Sequence, residues 1–237
     1  MYDIDLHTHS IFSGHAYSTI DEMVRFAKRK KMSVLGISDH GTAMPGSCHE
    51  YYFHNLHILK DKYKGIKVLC GVEANIVDFE GNLDMSDSVL DRLDYAIASI
   101  HWNCLKPGKS EENTNAYLGA MRHKKVKIIG HPDDGEYEAD YDLLISQAKK
   151  NRVLIELNNA SLNPGTFRKN SEANIIKIME LCEKYKADVI LSSDAHTYHD
   201  IGDFSRIKKL IQKYRFPEEL IVNCNPEKYT SYFENEK

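Results

Sequence analysis

The stretch DLHTHS, residues 5–10, carries two histidines at the spacing of a strand. Successive side chains of an extended segment point to opposite faces, so His7 and His9 point the same way. Two imidazoles on one side of a strand can grip one metal ion. The residues leading into them, IDL (4–6), form a short apolar run. That pairing of apolar run and metal-capable residue recurs down the chain, and the recurrence decides the fold.

Further runs are VLGI (34–37), VLCGV (68–72), YAIASI (95–100), VKIIG (126–130), VLIEL (153–157) and VILSS (189–193). They are rich in Val, Ile and Leu and barely alternate, as strands covered on both faces should be. Helical patterns lie between them. Ile20, Met23, Val24 and Ala27 follow i, i+3, i+4, i+7, as do Tyr141, Leu144, Ile145 and Ala148. Ile175, Ile178, Met179 and Cys182 repeat the pattern, and so do Ile207, Leu210, Ile211 and Tyr214. Ser18 or Thr19, with an acid three residues on, would cap the first helix. Strand and helix alternating about seven times predict an α/β fold with a parallel sheet. A (β/α) barrel suits 237 residues better than an open sheet with a second domain, so one domain is expected over 1–237. LIVN (220–223) is the candidate for an eighth strand. Residues 75–85 read as an inserted ribbon turning at Glu80-Gly81-Asn82, and 104–115 and 159–171 as long polar loops able to form rims or lids.

Six of the runs end in a metal-capable residue. His7 and His9 follow the first, His40 the second, Glu73 the third, His101 the fourth, His131 the fifth, and Asp194 with His196 the last. In a parallel barrel these ends share the C-terminal rim, where barrel enzymes build their sites. His15 lies in the loop after the first strand, on the same rim. Any one of these residues alone reads better as a hydrogen-bonded polar group at a strand end. Seven histidines and two carboxylates together do not, because imidazoles packed so closely would repel on protonation. Imidazole and carboxylate suit Zn, Mn or Fe. Nine ligands exceed the needs of one ion and suit two or three, with positions left for water. His49, His54, His57, His123 and His199 fall away from strand ends and are expected to serve surface or packing roles.

Composition narrows the function. Net charge is −4 with the two signs interspersed, which argues against a nucleic-acid or membrane partner. No apolar run approaches the roughly 20 residues that span a bilayer. The first ten residues lack the features of a secretory signal, so the expected location is cytoplasmic. Five widely spaced cysteines, with no CxxC, predict buried thiols rather than disulfides or a cysteine zinc cluster. There is no GxSxG, P-loop or HExxH.

HTH (7–9), SDHG (38–41), GVEAN (71–75), SIHW (99–102), GHPD (130–133) and SSDAH (192–196) resemble, in order, the motifs of the PHP (polymerase and histidinol phosphatase) family. The likeness covers nearly the whole chain and is nearest to the small stand-alone YcdX-type phosphoesterases. It implies a distorted, TIM-like (β/α)7 barrel with a trinuclear site of three divalent ions, zinc first, with manganese or iron as alternatives. Position by position, it implies that His7, His9, Glu73 and Asp194 hold one ion. Glu73, His101 and His131 hold a second, with Glu73 bridging, and His15, His40 and His196 hold the third.

Such a site favours phosphoester hydrolysis by metal-activated hydroxide, with no protein nucleophile. Glu73 and Asp194 are the candidate catalytic carboxylates. Asp39, beside His40, would orient a ligand or shuttle a proton. Arg168, in the loop after the sixth strand, is the candidate phosphate-binding residue, ahead of Lys169. Trp102, the sole tryptophan, fits either a pocket wall or barrel packing. The expected activity is a phosphomonoesterase on a small phosphorylated substrate. Histidinol phosphatase, protein tyrosine phosphatase, a 3'-5' nuclease on short oligonucleotides and a non-catalytic metal-binding protein remain alternatives. The oligomeric state is open.

Overall fold

The computed structural model describes residues 3–234; Met1, Tyr2 and residues 235–237, the ends of the expected 1–237 domain, lie outside the described residues. Among the described residues, seven strands form one parallel sheet. They are β1 (Ile4–Asp5), β2 (Val34–Ile37), β3 (Lys67–Asn75), β4 (Tyr95–Ser99), β5 (Val126–Ile129), β6 (Leu154–Asn158) and β7 (Val189–Ser192). Their order in the sheet is their order in the chain. The sheet curls until its ends meet. Thr8 pairs with Ala195, and the His9 N–H donates to the Ala195 carbonyl at 2.8 Å. The result is the distorted, nearly closed TIM-like barrel of seven strands.

LIVN (220–223) does not complete an eighth strand. Ile221 makes a single parallel bridge to Val189, and Val222–Cys224 turns as a 3₁₀ helix. The Asn223 side chain fills the gap instead. Its Nδ2 donates to the carbonyls of Ile4 and Leu191 at 2.8 Å each, and its Oδ1 accepts from the Leu191 N–H at 2.7 Å. One amide thus satisfies backbone groups of both β1 and β7, which would otherwise be buried without partners.

The four helices expected from periodicity all form: α1 (Ile20–Arg29), α5 (Tyr141–Asn151), α6 (Ser171–Tyr185) and α7 (Ser205–Tyr214). Thr19 and Glu22 cap α1 reciprocally. The shorter α2 (Glu50–Asn55) and α3 (Asp87–Leu90) complete the wrap. The ribbon at 75–85 also forms, with Ile76 bridged antiparallel to Leu83 and Gly81 at a φ of +86° in its turn. The stretch 104–115 is a loop only to Lys109; from Ser110 it is helix α4 (Ser110–Ala120). The buried face of α4 includes Asn113 and Thr114, so it shows no apolar stripe in the sequence.

Period-two alternation explains why the rim is polar. Leu69, Gly71, Glu73 and Asn75 share the inner face of β3, and Leu154, Glu156 and Asn158 that of β6. Both series climb from apolar to polar. Lower down, Ile4, Leu6, Tyr95, Ile97, Ile128 and Ile190 fill the interior, and Tyr229 and Tyr232 of α8 (Pro226–Phe233) pack beneath them. Tyr95 is fully buried and its hydroxyl donates to the Leu6 carbonyl at 2.5 Å. A Cβ on Gly36 would lie 2.1 Å from that hydroxyl and 2.8 Å from the Leu6 Cα. Gly36→Ala is therefore expected to destabilise the protein by about 1–3 kcal/mol through overpacking. Urea unfolding midpoints of the variant and wild type check this, and an unchanged midpoint would contradict it.

Candidate metal centre

The nine side chains nominated above stand together at the C-terminal rim. His7 and His9 leave the end of β1, and His40 follows β2 and bridges to Glu73 on β3. His101, His131 and Asp194 each stand two residues beyond their strands. His131 and Asp194 have positive φ, +27° and +54°. L-residues pay for that conformation, so the fold holds both side chains inward against local strain. Ring centroids lie 4.3 Å apart for His9–His40 and His9–His196, and 4.9 Å for His15–His40 and His15–His196.

Glu73 is the hub and is fully buried. Its Oε1 lies 2.9 Å from His131 Nε2, 3.2 Å from His7 Nε2 and 3.3 Å from His101 Nε2. Its Oε2 faces His40 Nδ1 at 2.6 Å and His9 Nε2 at 3.5 Å. Asp194 Oδ1 lies 3.3 Å from His9 Nε2 and 3.6 Å from His7 Nε2. Burial pushes the Glu73 carboxyl up, but the imidazoles of His7, His101 and His40 outweigh it and hold it well below the usual carboxylate range. Burial likewise opposes the Asp194 charge, and His7 and Arg168 overcome it. His9 is held well below its usual value by burial and by the rings of His196 and His40. His7 goes the other way: Glu156, Glu73 and Asp194 outweigh its burial and raise it.

The donor set fits metal. His7 Nε2, His9 Nε2, His40 Nδ1 and Glu73 Oε2 are buried without a hydrogen-bond partner. The 2.6 Å contact between His40 and Glu73 is out of line for a hydrogen bond, so these atoms face a shared space rather than each other. Four such orphans in one place are too costly for packing alone. Three compact groups could each hold an ion: His7, His9 and Asp194; His9, His40 and His196; and His40, Glu73 and His101. His40 therefore belongs to two groups, its ring centroid 5.0 Å from that of His101 and 5.9 Å from that of His196.

Several supporting residues escaped the sequence reading. Glu156 accepts from His7 Nδ1 at 2.6 Å and from the His131 N–H at 2.6 Å. Asn75 Oδ1 meets His101 Nδ1 at 2.7 Å, and Asn158 Nδ2 donates to Asp194 Oδ2 at 3.1 Å. A signal existed for Glu156: a charged residue inside the apolar run VLIEL. Asp39 is buried beneath the cluster and accepts from Ser10, Ser13 and the Tyr52 hydroxyl. Ser13 in turn meets His9 Nδ1 at 3.0 Å, which links Asp39 to a ligand's orientation rather than to the open cavity. Arg168 is part-buried, its side chain 7% exposed, with Nη2 donating to Asp194 Oδ2 at 2.9 Å and Nη1 to Ser161 at 3.1 Å. Lys169 turns instead to Glu136. His49 caps α2, and His54, His57, His123 and His199 stand elsewhere. The cysteines are free thiols, and burial pushes Cys104, beside the site, up to about 12. Above the cluster opens a cavity of about 980 Å³, lined among others by His15, His101, Arg168, Asp194 and Trp102. Among the described residues, no helix is long and apolar enough to cross a membrane.

A parallel barrel whose strand ends deliver histidines and carboxylates to one rim defines the class. The chain belongs to the PHP domain family, whose model matches residues 5–225. It is 43% identical over 230 residues to a probable phosphatase of Caldicellulosiruptor saccharolyticus, covering 97% of this chain and 95% of that one. It is 41% identical over 234 residues to a probable phosphatase of Clostridium botulinum, covering 99% and 95%. Among solved structures, it resembles the histidinol phosphate phosphatase of Lactococcus lactis complexed with zinc, L-histidinol and phosphate. The TM-score is 0.62 at 16% identity, over 91% of this chain and 95% of that one, a likeness of fold.

Two outcomes follow from this geometry. Glu156→Gln keeps the shape but weakens the grip on His7, and is expected to lower metal affinity about 10–100-fold. Metal titration followed by mass spectrometry checks it, and an unchanged affinity would remove Glu156 from the site. The second concerns the metal-free protein and pH. Glu73 and Asp194 are depressed, so their stabilisation is present above the unfolded carboxylate range and lost as pH falls. His9, His15 and His101 are also depressed, so the unfolded chain takes up protons, below about pH 6.5, that the folded chain refuses. His7, being raised, opposes this: its contribution is full below that pH and fades above it. Glu156 is depressed as well, while Asp5, Asp84 and Asp133 are raised by burial and side with His7; with six depressed groups against four, Tm of the chelated protein is expected to drop as pH falls below about 6.5. A Tm that rises on acidification would contradict the charge arrangement.

Proposed function

We propose that the chain is a metal-dependent phosphomonoesterase, a single-domain cytoplasmic hydrolase acting on a small phosphorylated molecule at a trinuclear site. The observation that carries this is the set of partnerless buried ligand atoms facing a shared space beside a part-buried arginine. Membership of a family with relatives named probable phosphatases supports it. In this reading His7, His9, Glu73 and Asp194 hold one ion, Glu73, His101 and His131 a second, and His15, His40 and His196 the third. Zinc is the first choice, since imidazole and carboxylate suit it, with manganese or iron as alternatives. When bound, the ions supply a water acidic enough to ionise near neutral pH and positive charge for the phosphoryl oxygens.

The chain's own groups do the positioning. A guanidinium carries five N–H donors. Arg168 uses one nitrogen on Ser161 and the other on Asp194, so donors remain for a phosphoryl oxygen in the cavity. Its link to Asp194 fixes the anchor relative to a ligand, which sets the distance from bound phosphate to the ions. Glu73 ties two ligand groups together through its two oxygens. Asp39 and Ser13 hold His9, Glu156 holds His7 and Asn75 holds His101. Geometry of this kind is most of what phosphoryl transfer asks of a protein.

The test is inorganic phosphate release from a panel of phosphomonoesters by zinc- or manganese-loaded protein. Release is expected from the wild type and its loss in His101→Ala. Arg168→Ala is expected to lower kcat/KM about 10–100-fold, the worth of a hydrogen bond to a charged group. No release by the loaded wild type would sink the phosphomonoesterase reading and favour the nuclease or the non-catalytic one.

A further inference from the structure

The cavity is far larger than a phosphate requires. At about 980 Å³ it sits at the top of the range for sites that enclose a whole small-molecule ligand. Its inner end holds the ligands and Arg168. The lining also has another chemistry: Met44, Ile100, Trp102, Tyr137, Pro164 and Phe167 stand in it alongside polar Asn103, Asn163 and Thr166. Two of these are large apolar side chains left in the open, Trp102 at 52% exposure and Phe167 at 81%. A lone exposed aromatic is ordinary. Two lining one cavity, beside a candidate catalytic centre, leave apolar surface that a bound group would cover.

The topology sets their spacing. Trp102 follows β4 and Phe167 follows β6, so the loop after β5, which carries Tyr137, stands between them around the rim. Lys106 Nζ lies 4.1 Å above the Trp102 ring and steadies the indole at the mouth. The Arg168 guanidinium lies 5.5 Å from the Phe167 ring, which places that ring next to the candidate phosphate anchor. Two of the carboxylates lining the cavity are engaged: Glu136 pairs with Lys169, and Asp134 Oδ1 accepts from the N–H groups of Glu136 and Lys169. The rings of Trp102 and Phe167 are the large apolar groups left exposed beside them.

We propose that Trp102 and Phe167 form a leaving-group site for the aromatic portion of the substrate, so that the preferred substrates are phosphomonoesters of alcohols bearing a planar apolar ring. The proposal rests on the phosphomonoesterase reading and deepens it. Stacking on exposed rings rewards aromatic groups through buried area and ring–ring geometry. An aliphatic alcohol too short to reach the wall gains neither.

The experiment compares 2-phenylethyl phosphate with ethyl phosphate on the zinc-loaded full chain. Both are primary alkyl esters of matched reactivity, and they differ by the ring. The expected kcat/KM is at least about tenfold higher for 2-phenylethyl phosphate, or about 1.4 kcal/mol. That ratio is expected to collapse toward one in Trp102→Ala and in Phe167→Ala, and to survive largely in Trp102→Phe. A second readout needs no turnover. Because Trp102 is the sole tryptophan, its emission reports on this wall directly. 2-Phenylethyl phosphate is expected to shift or quench it at concentrations where ethyl phosphate does not. Release from both esters at equal kcat/KM, or a ratio untouched by both alanine variants, overturns the aromatic site and leaves the phosphomonoesterase standing. A ring-specific emission change without phosphate release upholds the site and overturns the phosphomonoesterase. The absence of both phosphate release and a ring-specific emission change overturns the site and the phosphomonoesterase together.

Discussion

The burial of the Glu73 carboxylate is the constraint on which the rest depends. An ionised carboxyl taken fully out of water is tolerated when it is paired and well coordinated. Here the partners are imidazoles from four other strand ends, reached through both oxygens. Their convergence requires that β1 to β5 open onto one rim in register, which a parallel barrel provides and an open sheet does not. The fold can thus be read from its centre outward. Glu73 needs the rings, the rings need their own anchors in Glu156, Asn75 and Ser13, and those anchors need the inward face of each strand to turn polar at its upper end.

How much of this was legible in the sequence depends on where each residue falls relative to a strand end. The candidate ligands stand at or past the ends of apolar runs, where a polar residue is conspicuous. Glu156 and Asn75 are one step less visible. Glu156 lies within VLIEL, and Asn75 closes a nine-residue strand two positions beyond Glu73, the next residue on the same face. Both could be found by carrying period two past the obvious ligand. Helix α4 was hidden for a different reason: its buried face includes Asn113, which bonds the Gly108 and Glu138 carbonyls, so polar satisfaction replaces apolar contact. The missing eighth strand illustrates a third limit. Asn223 closes the base through its side chain, and side-chain bonding to distant backbone leaves no trace in a periodicity.

Stability and chemistry are assigned to opposite ends of the molecule. The base is dense with Tyr95, Tyr229 and Tyr232, while the rim collects His131 and Asp194 in conformations that L-residues avoid. Strain of that kind persists where the surroundings over-determine it.

The sharing of ligands has a consequence for how the centre fills. His9 belongs to two of the three compact groups and His40 to two. A ring nitrogen that commits its lone pair to one ion has none for the next, so a first ion would redistribute the donors left for any other. If more than one ion binds, their occupancies would be linked quantities rather than independent ones, and partial loading would be a family of distinct species.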